Sequence, residues 1–301
     1  MTELFEQCEI CGSNDWEHVY EGKVREGSHG RSSSGDAVVA ECARCGVQRL
    51  NEQACAEEEL YESEAYRRLL NEPEDAAGFF REHDVLQLRN LTVLWPDSLR
   101  SRVVADIGCG AGSFLDHVCG LSGEAIAVEP CRAYHESLRE RGYRVYGLTP
   151  EAAADWSGRV DYAFCFSVIE HVPNPLAFLR EVRALMAPGG RLVVSTPNRE
   201  DVLMALGGDV YRRFFYRTVH RWYFDQRAFA DCAGRAGLHV EESVCVHRFG
   251  LSNAMAWLRD GRPTGDARLP HLDSDLLDDF WKRYLEGRGV GDYLYFKLIA
   301  R

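Results

Sequence analysis

The spacing of hydrophobic residues changes its character along the chain. From Glu57 to Trp95, apolar and aromatic residues recur at mostly helical spacing, which predicts connecting helices. From Val103 the pattern changes to a short apolar run that ends in a glycine-rich turn and continues as a helix. Further apolar runs, Val160–Phe166 among them, follow in the middle of the chain. This pattern is typical of an α/β core that begins at about residue 100.

A glycine-rich turn follows the first core strand, and its glycines have the pattern G-x-G-x-G: Gly108, Gly110 and Gly112. Asp106 ends that strand, and Glu129 follows the second strand, 21 residues after the first glycine. Such a turn lets the backbone approach a nucleotide-like ligand, and a carboxylate at the end of the next strand can accept both ribose hydroxyls. We therefore predict a ligand with a free ribose diol. The dinucleotide pattern would need glycine where the chain has Ser113, which disfavours NAD.

Four of the 11 cysteines form two identical Cys-x-x-Cys-Gly units near the amino end: Cys8, Cys11, Cys42 and Cys45. Because glycine takes the left-handed conformation, such a turn directs two thiolates to one point, and two turns make a tetrahedral site that suits Zn²⁺. A redox pair and an iron–sulfur cluster are the alternatives. With four cysteine ligands there is no position for a catalytic water, so the predicted role is structural.

The cysteine units bracket two strand-like stretches, Trp16 to Tyr20 and Ala37 to Glu41, joined by a Gly/Ser-rich segment from Gly27 to Gly35. This predicts a zinc ribbon in residues 1–56, in which metal supplies much of the folding free energy because so small a unit buries little apolar surface. The other seven cysteines lack such mutual spacing, and we predict that they are packing residues: Cys55, Cys109, Cys119, Cys131, Cys165, Cys232 and Cys245.

Four segments of the chain together resemble the class I S-adenosylmethionine (SAM)-dependent methyltransferases: DIGCGAGSF, AVEP, DYAFCFSVIEHV and APGGRLVVSTPN. They stand in the family's order and spacing. The resemblance implies a Rossmann-like seven-stranded mixed sheet in a methyltransferase domain over residues 100–301, after the zinc ribbon and a helical linker over 57–99. The ribbon with its linker looks like that of a subgroup that acts on nucleotide sugars and natural products.

The resemblance also implies SAM as cofactor and places it on particular residues. The glycine turn would approach the methionine part, with Asp106 at that end, and Glu129 would bind the ribose hydroxyls. The cofactor-binding residues that it implies are Asp106, Gly108, Cys109, Gly110, Gly112, Phe114, Glu129, Pro130, Leu148, Thr149, Phe166 and Ser167.

Two histidines are candidate catalytic bases. SAM carries an activated methyl group, so the protein has to align donor and acceptor and, for a hydroxyl or carbon acid, remove a proton. His171 closely follows the fourth strand, although in this superfamily that histidine is often present without being the base. His220 is the second candidate, with helix capping or anchoring of a lid as its alternative role. Glu170 is expected to be a helix-start or hydrogen-bonding residue.

Residues 211–224 form the one concentrated basic segment of a chain whose net charge is −12. We predict a lid over residues 200–225, in which guanidinium groups bind an anion and aromatic rings pack on a substrate ring. A helix with a solvated arginine face and a core aromatic face is the alternative. The candidate substrate-binding residues are Arg212, Arg213, Arg217, Arg221, Trp222 and Tyr223.

The carboxyl-terminal part is predicted to complete the fold. A helix is expected over Phe229–Leu238, followed by terminal strands at His239–His247 and Asp292–Ala300, the last pairing antiparallel at the sheet edge. Residues 251–290, between these strands, are predicted to form an insertion that contains helical segments. It would complete the substrate pocket or form a homodimer contact.

The composition narrows the location and partners. The amino end has acids where a signal peptide has basic residues, and no apolar run approaches about 18 residues, so we expect a cytoplasmic protein without a membrane span. The pI near 5.4 argues against a nucleic-acid partner, which needs a basic face, and leaves a small-molecule substrate.

The leading hypothesis is a SAM-dependent methyltransferase acting on an oxygen or carbon of a small anionic molecule, such as a nucleotide-linked sugar or a natural-product intermediate. One alternative is a metal-dependent RNA 3′-end 2′-O-methyltransferase, which the chain resembles at Glu170-His171. That motif has a further Glu where this chain has Ser167. A non-catalytic zinc-ribbon interaction module is the alternative from another class of function.

Overall fold

The computed structural model describes residues 5–94, 98–263 and 269–300. Within these residues the strands are β1 (Trp16–Gly22), β2 (Ala37–Cys42), β3 (Gln48–Leu50), β4 (Val103–Ile107), β5 (Glu124–Val128), β6 (Arg144–Tyr146), β7 (Val160–Phe166), β8 (Met186–Pro197), β9 (Trp222–Tyr223), β10 (Leu238–Val246) and β11 (Tyr293–Ala300). The α-helices are α1 (Ala65–Leu70), α2 (Ala76–Leu94), α3 (Ser113–Val118), α4 (His135–Glu140), α5 (Thr149–Trp156), α6 (Pro175–Leu185), α7 (Val202–Leu206), α8 (Gly208–Phe215), α9 (Gln226–Arg235), α10 (Leu251–Asp260) and α11 (Asp275–Arg288).

The chain divides into two compact units. The first unit takes the described residues of Met1–Ala56, Thr196–Asp231 and Ser243–Tyr295, and the second those of Glu57–Ser195, Cys232–Glu242 and Phe296–Arg301. The predicted boundaries at 56/57 and 99/100 follow the sequence pattern, and they stay predictions. Residues 264–268 of the predicted insertion lie outside the described residues.

The first unit is built on a four-stranded sheet in the order β1-β2-β3-β9, with antiparallel pairs throughout. Its hydrophobic core combines side chains from all three chain segments: Tyr20, Val24, Ala37, Val39, Leu50, Leu203, Tyr211, Phe215, Tyr216, Tyr223, Ala254 and Trp257. The strands around the cysteines therefore share a core with distant segments, which supplies the apolar burial that fifty residues alone lack.

The second unit contains most of a seven-stranded sheet in the order β10-β11-β8-β7-β4-β5-β6. The pairs β4–β5, β5–β6, β4–β7 and β7–β8 are parallel, so the carboxyl ends of these strands meet at one edge. The predicted Rossmann-like mixed sheet of class I methyltransferases is confirmed. The predicted place of the last strand was wrong: β11 lies between β10 and β8, and β10 occupies the edge.

Local signals in the sequence explain where several helices begin. Asn174 caps α6 by accepting a hydrogen bond from the amide of Ala177 at 2.9 Å, and Pro175 occupies the first turn, where its missing N–H costs nothing. Asp75 similarly accepts from the amide of Gly78 at 2.7 Å at the start of α2. Among the helices that the structure describes, none is long and apolar enough to cross a membrane.

Candidate functional site

The glycine turn and Glu129 meet at the carboxyl edge of the parallel sheet. The amide of Gly108 donates to the carbonyl of Val128 at 2.7 Å, which joins the ends of β4 and β5. The Glu129 carboxylate then accepts from the amide of Gly110 at 2.6 Å through Oε2 and from the amide of Cys131 at 2.9 Å through Oε1. These bonds fix the orientation of the carboxylate that the sequence predicted as the ribose acceptor.

Each glycine of the turn is required by conformation and by packing. All three have φ between 57° and 89°, in the left-handed region. A Cβ would lie 2.4 Å from Val168 at Gly108, 2.5 Å from the Phe79 ring at Gly110 and 2.6 Å from Leu138 at Gly112. The turn is therefore enclosed by side chains and has no room for any residue other than glycine.

Two buried carboxyl groups give the site its electrostatic character. Burial, followed by the charge of Glu129, raises the pKa of Asp106 to about 8. Burial likewise raises the pKa of Glu129, although the amides of Cys131 and Gly110 oppose the shift. A cation next to such a pair would favour the ionised forms and lower both pKa values. The pair is thus suited to a ligand that carries positive charge.

The other predicted cofactor residues lie in the same unit with different degrees of exposure. Phe114 is buried against Phe164 and Phe166, with ring centroids 4.8 and 4.9 Å away. Ser167, just after β7, has φ of 57°, an unusual conformation for a residue with a side chain. The remaining members range from buried to exposed: Cys109 and Thr149 are buried, Pro130 is half-buried, and Leu148 is exposed.

The helical linker contributes residues that the sequence did not identify as part of this site. The Phe79 ring stacks on His83 with centroids 3.9 Å apart, and the Arg67 guanidinium lies 4.8 Å from the Phe79 centroid. Arg67 also pairs with Glu72 at 2.6 Å. Helical spacing predicted only that Phe79 lies in a connecting helix, and nothing in the sequence indicated that its ring covers Gly110.

His171 contacts two tyrosines of the linker. The Tyr61 hydroxyl lies 3.1 Å from His171 Nδ1, and the Tyr66 ring packs edge-on against the imidazole at a centroid distance of 5.9 Å. The imidazole is therefore held at Nδ1, and this contact orients the ring. Glu170 is buried, with 1% of its surface exposed.

His220, the other predicted base, lies in the first unit. Its Nε2 is 3.2 Å from Nη1 of Arg217. A guanidinium can only donate, so Nε2 accepts this bond and its lone pair is occupied. This contact disfavours His220 as a base.

The predicted lid arginines have different partners. Arg212 pairs with Asp209 at 3.0 Å, and Arg221 is buried in an ion pair with Glu52. Arg213 is exposed near the Tyr20 hydroxyl, where its charge opposes the burial that raises the pKa of Tyr20. Arg217 contacts His220, as described above. Two of the four guanidinium groups that were predicted to bind an anion are therefore already paired with carboxylates.

The predicted substrate-binding aromatics lie in the core of the first unit. Trp222 and Tyr223 are 0% and 1% exposed. Arg49 lies over the Trp222 ring at 5.2 Å, and the Tyr223 hydroxyl accepts from the amide of Arg217 at 2.8 Å. Burial on this scale leaves no ring surface open to solvent, which agrees with the core aromatic face of the alternative prediction. The predicted helix was wrong at these two residues, because they form the strand β9.

The four cysteines of the amino-terminal units come together in one cluster. Their sulfur atoms all lie within 4.8 Å of one another, with Cys8 and Cys45 at 3.8 Å and Cys11 and Cys42 at 3.4 Å. A Zn²⁺ ion with tetrahedral Zn–S bonds needs sulfur separations of roughly 3.8 Å. The two turns are alike: each closes with a 2.8 Å bond from the glycine amide to the carbonyl of the first cysteine. The donor set and the spacing therefore fit zinc.

The sheet order, the glycine turn and the acid after β5 define the class I methyltransferase fold. Residues 79–243, more than half of the chain, match a family described as a methyltransferase domain. The chain therefore belongs to this methyltransferase family, as the resemblance predicted.

The chain is also similar to proteins of known name. It is 30% identical over 152 residues to the ubiquinone biosynthesis O-methyltransferase of Xanthomonas axonopodis pv. citri (strain 306), covering 46% of this chain and 63% of that protein. It is 32% identical over 130 residues to the enzyme of the same name from Xanthomonas campestris pv. campestris (strain B100), covering 40% and 54%. The chain thus spans less than two thirds of the length of these curated relatives.

A solved structure shares the fold. A chain of the complex between the Haloferax volcanii Trm112 methyltransferase activator and a methyltransferase aligns with a TM-score of 0.52 at 14% identity, covering 75% of this chain and 95% of that chain. At this identity the likeness shows the fold alone.

Proposed function

We propose that this chain is a SAM-dependent methyltransferase that transfers a methyl group to an oxygen or carbon of a small anionic molecule. The observation that carries the proposal is the Glu129 carboxylate, fixed by the Gly110 amide beside an enclosed glycine turn at the ends of two parallel strands. Membership of the methyltransferase family supports it.

The residues of the second unit would hold SAM at this edge. Glu129 would accept from the ribose hydroxyls, because a carboxylate oxygen with one amide donor retains further lone pairs. Asp106 and the glycine turn would bind the methionine end, where the cationic groups of SAM favour ionised carboxyls. When bound, SAM supplies an activated methyl group on a sulfonium.

The acceptor is proposed to be a nucleotide-linked sugar or a natural-product intermediate. The similar Xanthomonas enzymes are named O-methyltransferases, which supports an oxygen as the acceptor atom. Arg217 supports an anionic acceptor, since its guanidinium contacts a histidine rather than a carboxylate in the first unit. His171 is the proposed base, with Tyr61 holding its Nδ1.

Calorimetry with SAM tests the cofactor site. We expect binding by the unchanged protein and loss of binding in Glu129→Ala, because the ribose acceptor is removed. Glu124→Ala is the matched control, since Glu124 stands exposed at the other end of the same strand. Absence of SAM binding by the unchanged protein, or equal binding by the Glu129 variant, would refute the proposal.

We also propose that the four-cysteine cluster holds a structural Zn²⁺ ion. Metal analysis should find about one zinc per chain. The double variant Cys8→Ser/Cys42→Ser should lose the zinc, because each turn loses a thiolate, whereas Cys119→Ser should keep it, because Cys119 is exposed and outside the cluster. Zinc retained by the double variant would contradict the assignment.

A further inference from the structure

A second basic feature of the first unit involves the Gly/Ser-rich segment after β1. Arg25 pairs with the predicted lid through its backbone: its amide donates to the Tyr216 carbonyl at 2.9 Å, and the Thr218 amide donates to the Arg25 carbonyl at 3.0 Å. This parallel bridge sets Arg25 beside Arg217, although 191 residues separate them in the chain. Two guanidinium groups are thus anchored on adjacent backbone segments.

The side chains around this bridge place a guanidinium group and an imidazole on one aromatic ring. Arg25 Nη1 lies 3.2 Å from His29 Nδ1, and its Cζ lies 4.4 Å from the centroid of the Phe214 ring. The His29 ring stacks on the same phenylalanine at 5.7 Å. Because Arg25 can only donate, His29 Nδ1 accepts and its exposed imidazole presents Nε2 as an N–H donor.

The electrostatics agree with this arrangement. Partial desolvation of the largely exposed His29 ring lowers its pKa, and the positive charges of Arg25 and Arg217 lower it further, so both guanidinium groups act on this imidazole. Arg217 Nε is buried and has no hydrogen-bond partner among the described residues. Like charges held together and a buried donor without an acceptor both cost free energy, and a bound anion would relieve both.

We propose that Arg25, His29 and Arg217 form a binding site for a phosphoryl group. This inference rests on the proposed function, because it assigns the anionic part of the substrate to a phosphate. Three separate donor groups match the three terminal oxygens of a phosphoryl group, whereas a carboxylate is satisfied by a single guanidinium fork. Phe214 contributes the surface on which Arg25 and His29 are held.

Titration of the full chain with inorganic pyrophosphate at low salt tests the site without any methyl transfer. Calorimetry should show binding, and pyrophosphate should raise the melting temperature, because a ligand of the folded state stabilises it. Arg25→Gln and Arg217→Gln should each weaken binding about tenfold, as expected for the loss of a charged hydrogen bond. Arg31→Gln removes one charge from an exposed position of the same segment and should leave binding unchanged.

Acetate and SAM, titrated in the same way, test whether the site is specific for a phosphoryl group. Acetate should bind much more weakly than pyrophosphate, and equal binding would assign the site to carboxylates and overturn the proposal. Absence of pyrophosphate binding, or equal losses in Arg31→Gln and Arg25→Gln, would overturn it as well. SAM binding, measured on the same variants, should be unchanged, which shows that they are folded and keeps failure of this site distinct from failure of the cofactor site.

Discussion

At the scale of single residues, Gly110 is the position where backbone conformation and packing both demand glycine. Its φ is 57°, and a Cβ would lie 2.5 Å from the Phe79 ring. We expect Gly110→Ala to lower the free energy of unfolding by about 1–3 kcal/mol and to weaken SAM binding by about tenfold or more, because the turn has to move away from the ring. Urea unfolding and calorimetry measure the two effects.

Two further variants test the physical reason for that loss. Gly120→Ala is the control, since a Cβ there meets no atom within 4 Å and should change little. Replacing Phe79 by leucine in the Gly110→Ala background should recover part of the lost stability, because the clashing ring is gone. Full stability of Gly110→Ala alone would show that the turn is not enclosed.

The contact between Tyr61 and His171 leads to a prediction about a tautomer. If the Tyr61 hydroxyl fixes Nδ1, ring ¹⁵N shifts should show one His171 tautomer in the unchanged protein and a mixture in Tyr61→Phe. Once a methyl acceptor is known, the kcat of Tyr61→Phe should fall roughly tenfold, because the base is no longer held in one orientation. Its KM and its affinity for SAM should stay the same, because no binding group is removed. Tyr66→Phe, which keeps the packed ring, should leave the tautomer unchanged. An unaltered spectrum in Tyr61→Phe would exclude the positioning role.

These residues also show how far the sequence could identify the site. Gly110 and Glu129 were predictable because both follow strands with clear apolar patterns, and the carboxyl ends of parallel strands meet. Tyr61 and Arg25 were not, because each reaches its partner through chain separations of more than a hundred residues. Local patterns carry no information about such long-range pairing.

At the scale of elements, α10 (Leu251–Asp260) belongs to the core of the first unit. Trp257 is 5% exposed and packs edge-on against Tyr211 at a centroid distance of 4.9 Å. We expect Trp257→Ala to lower the free energy of unfolding by about 3–5 kcal/mol, because it leaves a cavity in the core. Denaturant unfolding measures this loss. Leu276→Ala in α11, at a side chain that is 79% exposed, is the control and should stay within about 0.5 kcal/mol. Similar losses in the two variants would contradict the assignment of α10 to the core.

The elements that could be predicted are those with a pattern of sufficient length. The apolar runs at β4, β5 and β7 identified the central strands, and the strand-like stretches between the cysteine units identified β1 and β2. Strands of two or three residues, such as β9, carry no period and were missed. The place of β11 was wrong because strand order depends on pairing between distant segments, which no local pattern encodes.

At the scale of the whole molecule, each unit contains one group of side chains with like charge or basic character. The second unit buries the carboxyls Asp106 and Glu129 next to the glycine turn, while the first unit gathers Arg25, Arg217 and His29. Buried acids are not confined to the second unit, because the first unit buries Asp201, Asp225, Asp278 and Asp292. We infer that a cationic cofactor would offset the charge repulsion of Asp106 and Glu129 and an anionic acceptor that of Arg25 and Arg217, because each group of like charges costs free energy without a ligand.

The raised pKa of the buried Asp106 carboxyl predicts how the stability of the protein depends on pH. Burial raises the pKa of Asp106 from its ordinary 3.8 to about 8 in the folded protein, so the folded state holds a proton that the unfolded state releases. The stabilisation is fully present below about pH 4 and is lost as the pH rises through about 8. Asp106→Asn mimics the protonated form, so the unfolding free energy of the unchanged protein minus that of the variant should fall steadily across this interval. Urea titrations at several pH values measure the difference.

Because Asp201, whose pKa is raised to about 6, is present in both proteins, its contribution cancels. Added SAM should make the decrease of this free-energy difference with pH smaller, since its positive charge favours the ionised carboxyl. A difference that does not change with pH would show that Asp106 is ionised at neutral pH, and its pairing with a cationic ligand would lose this support.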